Sequence, residues 1–229
     1  MDLDSRLVLI GTVHGDPSGY ERVTKILERL GPDLVTVEIS RFSVRYRQAW
    51  ERRWRRQLQL GLAALPPETA GHPAILRVAA QIGMPFEYRA ARDYSRRNGI
   101  RCLPLDLGGL SRRHLPGYSR ELLTPANLRA LLANGAGGSP DPVAQEFQRA
   151  RQALEHSPWR LPHQGGPETR RREFYLSRRL MRLAGGNGRT AHVGGWEHLV
   201  PWREGQGFRS RLEEQKPWVI LADEADSIK

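Results

Sequence analysis

The sequence is poor in cysteine and contains no long apolar run. Cys102 is the only cysteine among 229 residues, so an intrachain disulfide is impossible and a disulfide-stapled secreted domain is excluded. The apolar run at residues 7–10 is too short for a signal peptide, and no stretch reaches the roughly 20 apolar residues that span a bilayer. We therefore expect a cytoplasmic protein without a transmembrane segment.

Lysine is also scarce, although the chain is strongly basic. It carries 36 basic and 25 acidic side chains, a net charge of +11, and only three of the basic side chains are lysines. So uniform a preference for arginine is typical of genome-wide codon bias, and we do not take it as a sign of nucleic-acid binding. A nucleic-acid protein needs its charge concentrated on one face, ideally beside aromatic side chains that stack on bases. We therefore expect no nucleic-acid partner.

The order of apolar runs and helical patterns predicts an α/β fold. Residues 7–10 and 33–39 are typical of strands buried on both faces of a parallel sheet, and residues 18–30 between them have helical spacing with Ser18 as the cap. Strand, helix and strand in this order form one βαβ unit. Further strands are predicted at residues 100–107, 189–193 and 218–222. We expect a mostly parallel central sheet with flanking helices. Pro104 places its strand at an edge of the sheet or lies at the end of the strand.

The length fits one domain over residues 1–229 that carries an insertion. Residues 108–167 have a weaker pattern, with two helical stretches at 125–133 and 142–156, and we interpret them as a helical insertion, a lid or wall over a site.

We interpret residues 41–65 as a basic amphipathic helix. Aromatic residues recur there at every fourth position, beginning with Phe42, and arginines occupy the other faces. We expect the aromatic stripe to pack on the domain and the arginines to be solvated. Contact of this helix with a membrane surface or with nucleic acid is the alternative that stays open.

Two strands end in the same tetrad, Gly-x-x-His. Gly11 to His14 follows the first predicted strand, Gly195 to His198 follows a late one, and Glu38 ends the second strand. Open α/β sheets place their ligands beyond the carboxyl ends of the strands, so these side chains are expected to converge there. Two imidazoles and a carboxylate could hold a divalent metal, with manganese, cobalt or zinc the suitable ions, or could serve as acid and base without one.

Three other residues have more ordinary interpretations. His192 competes with His198 for a place in the site, but it lies inside a predicted strand and is better explained as a buried histidine. Asp16 could be a ligand, although a turn residue is favoured. Cys102 has no base positioned near it in the sequence and is expected to be an inert thiol.

These motifs resemble the TraB/PrgY/GumN and Tiki proteins. The resemblance is carried by residues 9–14, 32–38 and 192–198, by a middle block with Glu87 and Asp106, and by an Arg-acid-x-Tyr pattern that begins at Arg172. The family's middle aspartate-arginine pair reads Asp106-Leu107 here, and Arg41 and Arg45 both follow Glu38 closely enough to be its usual arginine. Residues 108–167 have no counterpart.

The resemblance implies an EreA/ChaN-like fold and an active site built from two Gly-x-x-His motifs, a glutamate and an arginine. Carried over by motif, the catalytic residues are His14, Glu38, Arg172 and His198, and the metal ligands are His14, Glu38 and His198. Tiki proteins are described as divalent-metal proteases. The resemblance thus implies a metal-dependent hydrolase acting on a peptide, ester or related acyl bond of a peptide or small molecule. The alternative is a module that binds haem or a small anion in the same crevice without catalysis.

Overall fold

The computed structural model describes residues 5–134, 141–155, 166–186, 188–201 and 207–228. The chain divides into two compact units. The first comprises Met1–Ile39, Phe86–Leu107 and Val143–Lys229, and the second comprises Ser40–Pro85 and Gly108–Pro142.

The first unit is built around a parallel sheet, so the predicted α/β class is confirmed. Its five described strands have the order β3-β2-β4-β1-β5, and every neighbouring pair is parallel. The third strand lies at an edge, as Pro104 predicts. The strands are β1 (Leu7–Thr12), β2 (Leu34–Val37), β3 (Arg101–Pro104), β4 (Thr190–Gly195) and β5 (Trp218–Leu221).

The described residues also form eight α-helices. These are α1 (Gly19–Leu30), α2 (Arg41–Leu62), α3 (Pro73–Ile82), α4 (Phe86–Arg97), α5 (Gly108–His114), α6 (Pro125–Asn134), α7 (Pro142–Glu155) and α8 (Pro167–Ala184). The helices predicted at residues 18–30, 41–65, 125–133 and 142–156 agree with α1, α2, α6 and α7 to within a few residues. Helix α5 was not predicted, because it is short and begins with two glycines.

Helices of the first unit cover the sheet with apolar faces. Leu176 and Leu180 of α8 join Leu7 and Leu9 of β1 in one buried cluster, since residues four apart share a helix face and residues two apart share a strand face. Ser18 is the N-cap residue of α1, as the sequence predicts, but its side chain forms no capping hydrogen bond. Its backbone N–H donates to Asp16 Oδ1 at 2.9 Å.

The second unit is helical and has its own core. Trp54 and Leu58 of α2 are buried against Ile75 and Val78 of α3. The rings of Phe42, Tyr46 and Trp50 stack in sequence and pack against this core. The prediction that the aromatic stripe packs inward is therefore confirmed.

The predicted insertion is divided between the units. Residues 108–142 belong to the second unit and α7 lies in the first from Val143 onward, while residues 156–165 are outside the described part. A covering role for this segment stays a prediction. Among the described helices, none has the length and apolar character needed to cross a membrane.

Candidate active site

The two Gly-x-x-His motifs leave the sheet side by side. Their strands β1 and β4 are neighbours, and Thr12 is paired with Gly195 in the register. The sheet therefore ends at the same level in both strands, and each motif turns away at that edge. This places His14 and His198 at the carboxyl end of the sheet, where the sequence predicts a site.

The space beside Gly195 is where the predicted residues meet. A Cβ atom built on this glycine would lie 3.6 Å from His14 Nε2, 3.9 Å from Glu38 Oε2 and 3.9 Å from His198 Cδ2. Both imidazoles and the carboxylate therefore surround one small hollow, which exists because residue 195 has no side chain. All of these residues belong to the first unit.

Glu38, directly after β2, is held from three sides. Its Oε2 accepts from the Gly195 N–H at 2.9 Å, and its Oε1 accepts from His198 Nε2 at 2.9 Å and from Arg172 Nη2. Burial by itself would raise the pKa of Glu38, but the charge and hydrogen bond of His198 and the charge of Arg172 hold this pKa well below its ordinary value. Glu38 is therefore a carboxylate at neutral pH.

Arg172 connects Glu38 to a second carboxylate. Its Nε and Nη2 donate to the two oxygens of Asp106 at 2.7 and 2.8 Å, which is a bidentate pair. Asp106 is held in place by its backbone N–H, which donates to the Ile39 carbonyl at 3.1 Å. Burial lowers the pKa of Arg172, but its bonds to the two carboxylates outweigh burial and raise it. The sequence pointed to Asp106 only as part of a resemblance.

His14 is exposed to solvent and is oriented by a buried glutamate. Its side chain is 79% exposed, and its Nδ1 lies 2.8 Å from Glu87 Oε1. Thr12 Oγ1 lies 3.2 Å from the same oxygen. The hydrogen bond to Glu87, on the first turn of α4, is the largest cause that raises the pKa of His14. A carboxylate at Nδ1 fixes the tautomer in which Nε2 carries the lone pair.

His198 has the same kind of support from a second glutamate. Its Nδ1 lies 3.1 Å from Oε1 of Glu173, which is buried on α8. Although burial disfavours the imidazolium ion, Glu38 and Glu173 outweigh burial and raise the pKa of His198 to about 10. Sequence reasoning included Glu173 and Glu87 only as parts of the family resemblance and gave neither a role. A signal for Glu173 was present in the sequence, because it lies three and seven residues before Leu176 and Leu180. This spacing places a glutamate on the apolar face of a helix, which is unusual.

The other candidates have structural roles. His192 is 1% exposed, its Nδ1 lies 2.9 Å from Thr36 Oγ1, and burial lowers its pKa to about 4. Asp16 accepts from the backbone at the start of α1 and from Arg22 at 2.8 Å, as a turn residue does. Burial raises the pKa of Cys102 to about 12, so this residue remains a thiol at neutral pH.

The donor chemistry of the site fits a divalent metal, although the side chains do not form a ligand cage as they lie. In the described residues, no three His, Cys, Asp or Glu side chains come together as a metal-binding group. However, His14 and His198 both have a carboxylate at Nδ1, as metal-bound histidines usually do. His198 Nε2 is bonded to Glu38 Oε1 at 2.9 Å and would have to exchange this carboxylate for a metal.

Comparisons of the chain with protein-family models, curated proteins and solved structures found no match.

Proposed function

We propose that the chain is a hydrolase of the TraB/Tiki type that adds water to an acyl bond, in a peptide, an ester or a related small molecule. The observation that carries this proposal is the hollow beside Gly195, where two imidazoles and Glu38 meet and where a buried glutamate orients each imidazole. A base oriented by a carboxylate, next to fixed positive groups, is the combination that acyl hydrolysis needs. The single cysteine is compatible with a cytoplasmic enzyme.

In this proposal His14 moves the proton. Its Nε2 faces the hollow, and its exposure gives water and substrate access to that atom. Glu87 keeps Nδ1 protonated and stabilises the imidazolium ion that forms when His14 takes a proton from the attacking water. The same ring can then return the proton to the leaving group.

His198 and Arg172 supply positive charge. The raised pKa of His198 makes it an imidazolium ion at neutral pH, and Arg172 is a permanent cation 3.5 Å from it through Nη1. Both can stabilise the oxyanion that develops on the substrate carbonyl. Glu38 accepts hydrogen bonds from both cations, and its low pKa makes it an anchor for them rather than a base.

The family resemblance implies a metal-dependent form of the same hydrolase, and in that form the roles change. Both imidazoles would be neutral ligands, so His14 Nε2 would not transfer the proton and His198 would not supply positive charge. His14 Nε2, His198 Nε2 and Glu38 would hold the ion, with Glu87 and Glu173 supporting the two imidazoles from behind. When bound, manganese, cobalt or zinc would polarise a carbonyl and lower the pKa of water. The site contains four carboxylates and one guanidinium, so its charge suits either a divalent cation or two protonated imidazoles. The four are Glu38, Glu87, Asp106 and Glu173.

The alternative of haem binding has no support in this geometry. The apolar surface expected for it was the aromatic stripe of α2, and Trp54 of that stripe is 1% exposed in the core of the second unit.

The test is an assay of the purified chain on p-nitrophenyl esters and on a library of internally quenched peptides. It is run after chelation and again with manganese, cobalt or zinc. We expect turnover of at least one probe, lost in His14→Gln and retained in His114→Gln, which changes an exposed histidine at the end of α5. If no probe is turned over faster than by the His14→Gln protein, the chain is not a hydrolase of these bonds. Calorimetric titration with each metal, compared between the two variants, tests metal binding separately from turnover.

A further inference from the structure

The net positive charge of the protein is concentrated in the second unit. This unit has 81 residues and contains 12 arginines and four carboxylates, a net charge of +8, whereas the other 148 residues carry +3. Basic residues are about equally dense in the two units, with 12 in 81 residues and 24 in 148, so the difference comes from the carboxylates, of which the second unit has four and the rest of the chain 21. Codon bias between arginine and lysine does not produce such a scarcity of acidic residues. The distribution therefore needs a physical explanation of its own.

Most of this charge lies on the exposed face of α2, which we call the arginine face. At 100° per residue, four of its arginines project within a strip about 60° wide and about 22 Å long. The four are Arg41, Arg45, Arg52 and Arg56. The arginine face consists of Arg41, Arg45, Arg52, Arg53, Arg55 and Arg56, all of them exposed.

Few of these charges are neutralised. Arg55 pairs with Glu51 at 2.7 Å, and the guanidinium of Arg53 lies 4.9 Å from the centre of the Trp50 ring. The four arginines of the strip contact no carboxylate within the part of the chain that the structure describes. A row of like charges along one side of a helix repels itself, so an anionic partner would stabilise it.

The remaining features of α2 narrow the class of partner. Its rings pack inward, and Trp54 is 1% exposed, so the helix offers no stacking platform for the bases of a single strand. The apolar side of α2 is likewise used inside its own unit, and Leu60 is the large apolar side chain exposed on α2. A helix that binds a bilayer interface buries an apolar face there, and α2 has none to spare.

We infer that the arginine face binds double-stranded nucleic acid through its phosphate backbone, without reading the base sequence. A duplex presents closely spaced phosphates on a rigid surface, and the planar fork of arginine bonds two phosphate oxygens at once. Contact with nucleic acid was one of the alternatives that the sequence left open for this helix, and the exposed arginines favour it. The inference is independent of the proposed hydrolase activity.

The test measures binding of the full chain to a fluorescent 24-base-pair DNA duplex between 50 and 200 mM KCl. Four phosphate contacts predict that affinity falls about 100-fold over this range. The triple variant Arg45→Gln, Arg52→Gln, Arg56→Gln should fall only about 3-fold, because one contact of the strip remains. Changing the same three residues to Lys should restore the salt dependence, since it depends on charge.

A matched control removes the same charge from the first unit through Arg6→Gln, Arg96→Gln and Arg182→Gln, three exposed positions. This control should bind as the wild type does. Equal weakening in both triple variants, or no duplex binding at 50 mM KCl, would overturn the inference. So would tighter binding of a single-stranded 24-mer, or retention on vesicles of 30% phosphatidylserine at a salt concentration that releases the duplex. Circular dichroism checks that the triple Gln variant is folded. If it is unfolded, the single variant Arg52→Gln is measured instead, and the slope of log affinity against log salt concentration should become less steep by about 0.9.

Discussion

Glu38 and His198 are joined by a hydrogen bond of 2.9 Å, although one residue follows the second strand and the other lies near the end of the chain. The bond depends on the sheet order, because β4 is inserted between β1 and β2 and brings its following loop next to Glu38. Arg172 donates to the same carboxylate oxygen. The site is therefore one charge network whose members depend on one another.

Replacing Arg172 should destabilise this network strongly. The Arg172 side chain is 19% exposed, and Glu38 and Asp106 would both lose their main counter-charge in Arg172→Met. We expect the free energy of unfolding to fall by about 3 to 5 kcal/mol in urea titrations. Arg182→Met, at an exposed position of the same helix, should change it by less than about 0.5 kcal/mol. Equal losses in the two variants would show that the ion pairs contribute nothing specific.

Replacing Glu87 should change the titration of His14 without removing the imidazole. The hydrogen bond and charge of Glu87 raise the pKa of His14, so in Glu87→Gln that pKa should move down toward its ordinary value. The His14 Cε1–H resonance in NMR would report this, and any hydrolytic rate should fall about 10- to 100-fold. Glu28→Gln, an exposed position on α1, serves as the control. An unchanged His14 titration would remove Glu87 from its positioning role.

His192 should make the fold sensitive to mild acid. Its pKa is 6.5 in an unfolded chain and about 4 in the fold, where burial disfavours the charged ring. As the pH falls from 6.5 to 4, the unfolded state takes up a proton that the folded state does not, and unfolding becomes easier. The loss is about 3 kcal/mol across this window, at 1.36 kcal/mol per pKa unit. His192→Gln should remove this part of the pH dependence in urea unfolding, and parallel curves for the two proteins would contradict the assignment.

A pair of glycine substitutions tests the hollow itself. In Gly195→Ala the new methyl group would lie at ordinary van der Waals distances of 3.6 to 3.9 Å from its neighbours, and φ at this residue is −61°, which alanine adopts readily. The free energy of unfolding should therefore change by less than about 1 kcal/mol. The methyl nevertheless occupies the space between the imidazoles, and activity should fall about 100-fold. In Gly194→Ala the new Cβ would lie 2.7 Å from Glu38 Oε2, which is held by hydrogen bonds, so this variant should lose about 1 to 3 kcal/mol of stability. Full activity in Gly195→Ala would show that substrates do not enter the hollow.

The sequence predicts the elements of the first unit well because each has a local signal. Continuous apolar runs indicate β1 and β2, helical spacing indicates α1 and α4, and Pro104 indicates an edge. Sequence also identified His14, Glu38 and His198 as groups at strand ends. The short α5 has no such signal.

The supporting carboxylates could not be assigned from local patterns. Glu87 and Glu173 look like ordinary helix residues in sequence, and Asp106 looks like a residue after a strand. Their roles depend on which helix packs beside which strand end, and the order of strands in the sheet decides that.

By itself, the sequence determined the α/β class and the chemical types gathered at the strand ends, because periodicity and glycine spacing are local properties of the chain. Only the tertiary structure decided that Glu38 is an ion-paired anchor, that His14 is the open imidazole and that the arginine face of α2 is exposed. Protonation and solvation depend on neighbours that are distant in sequence, and folding alone brings those neighbours together.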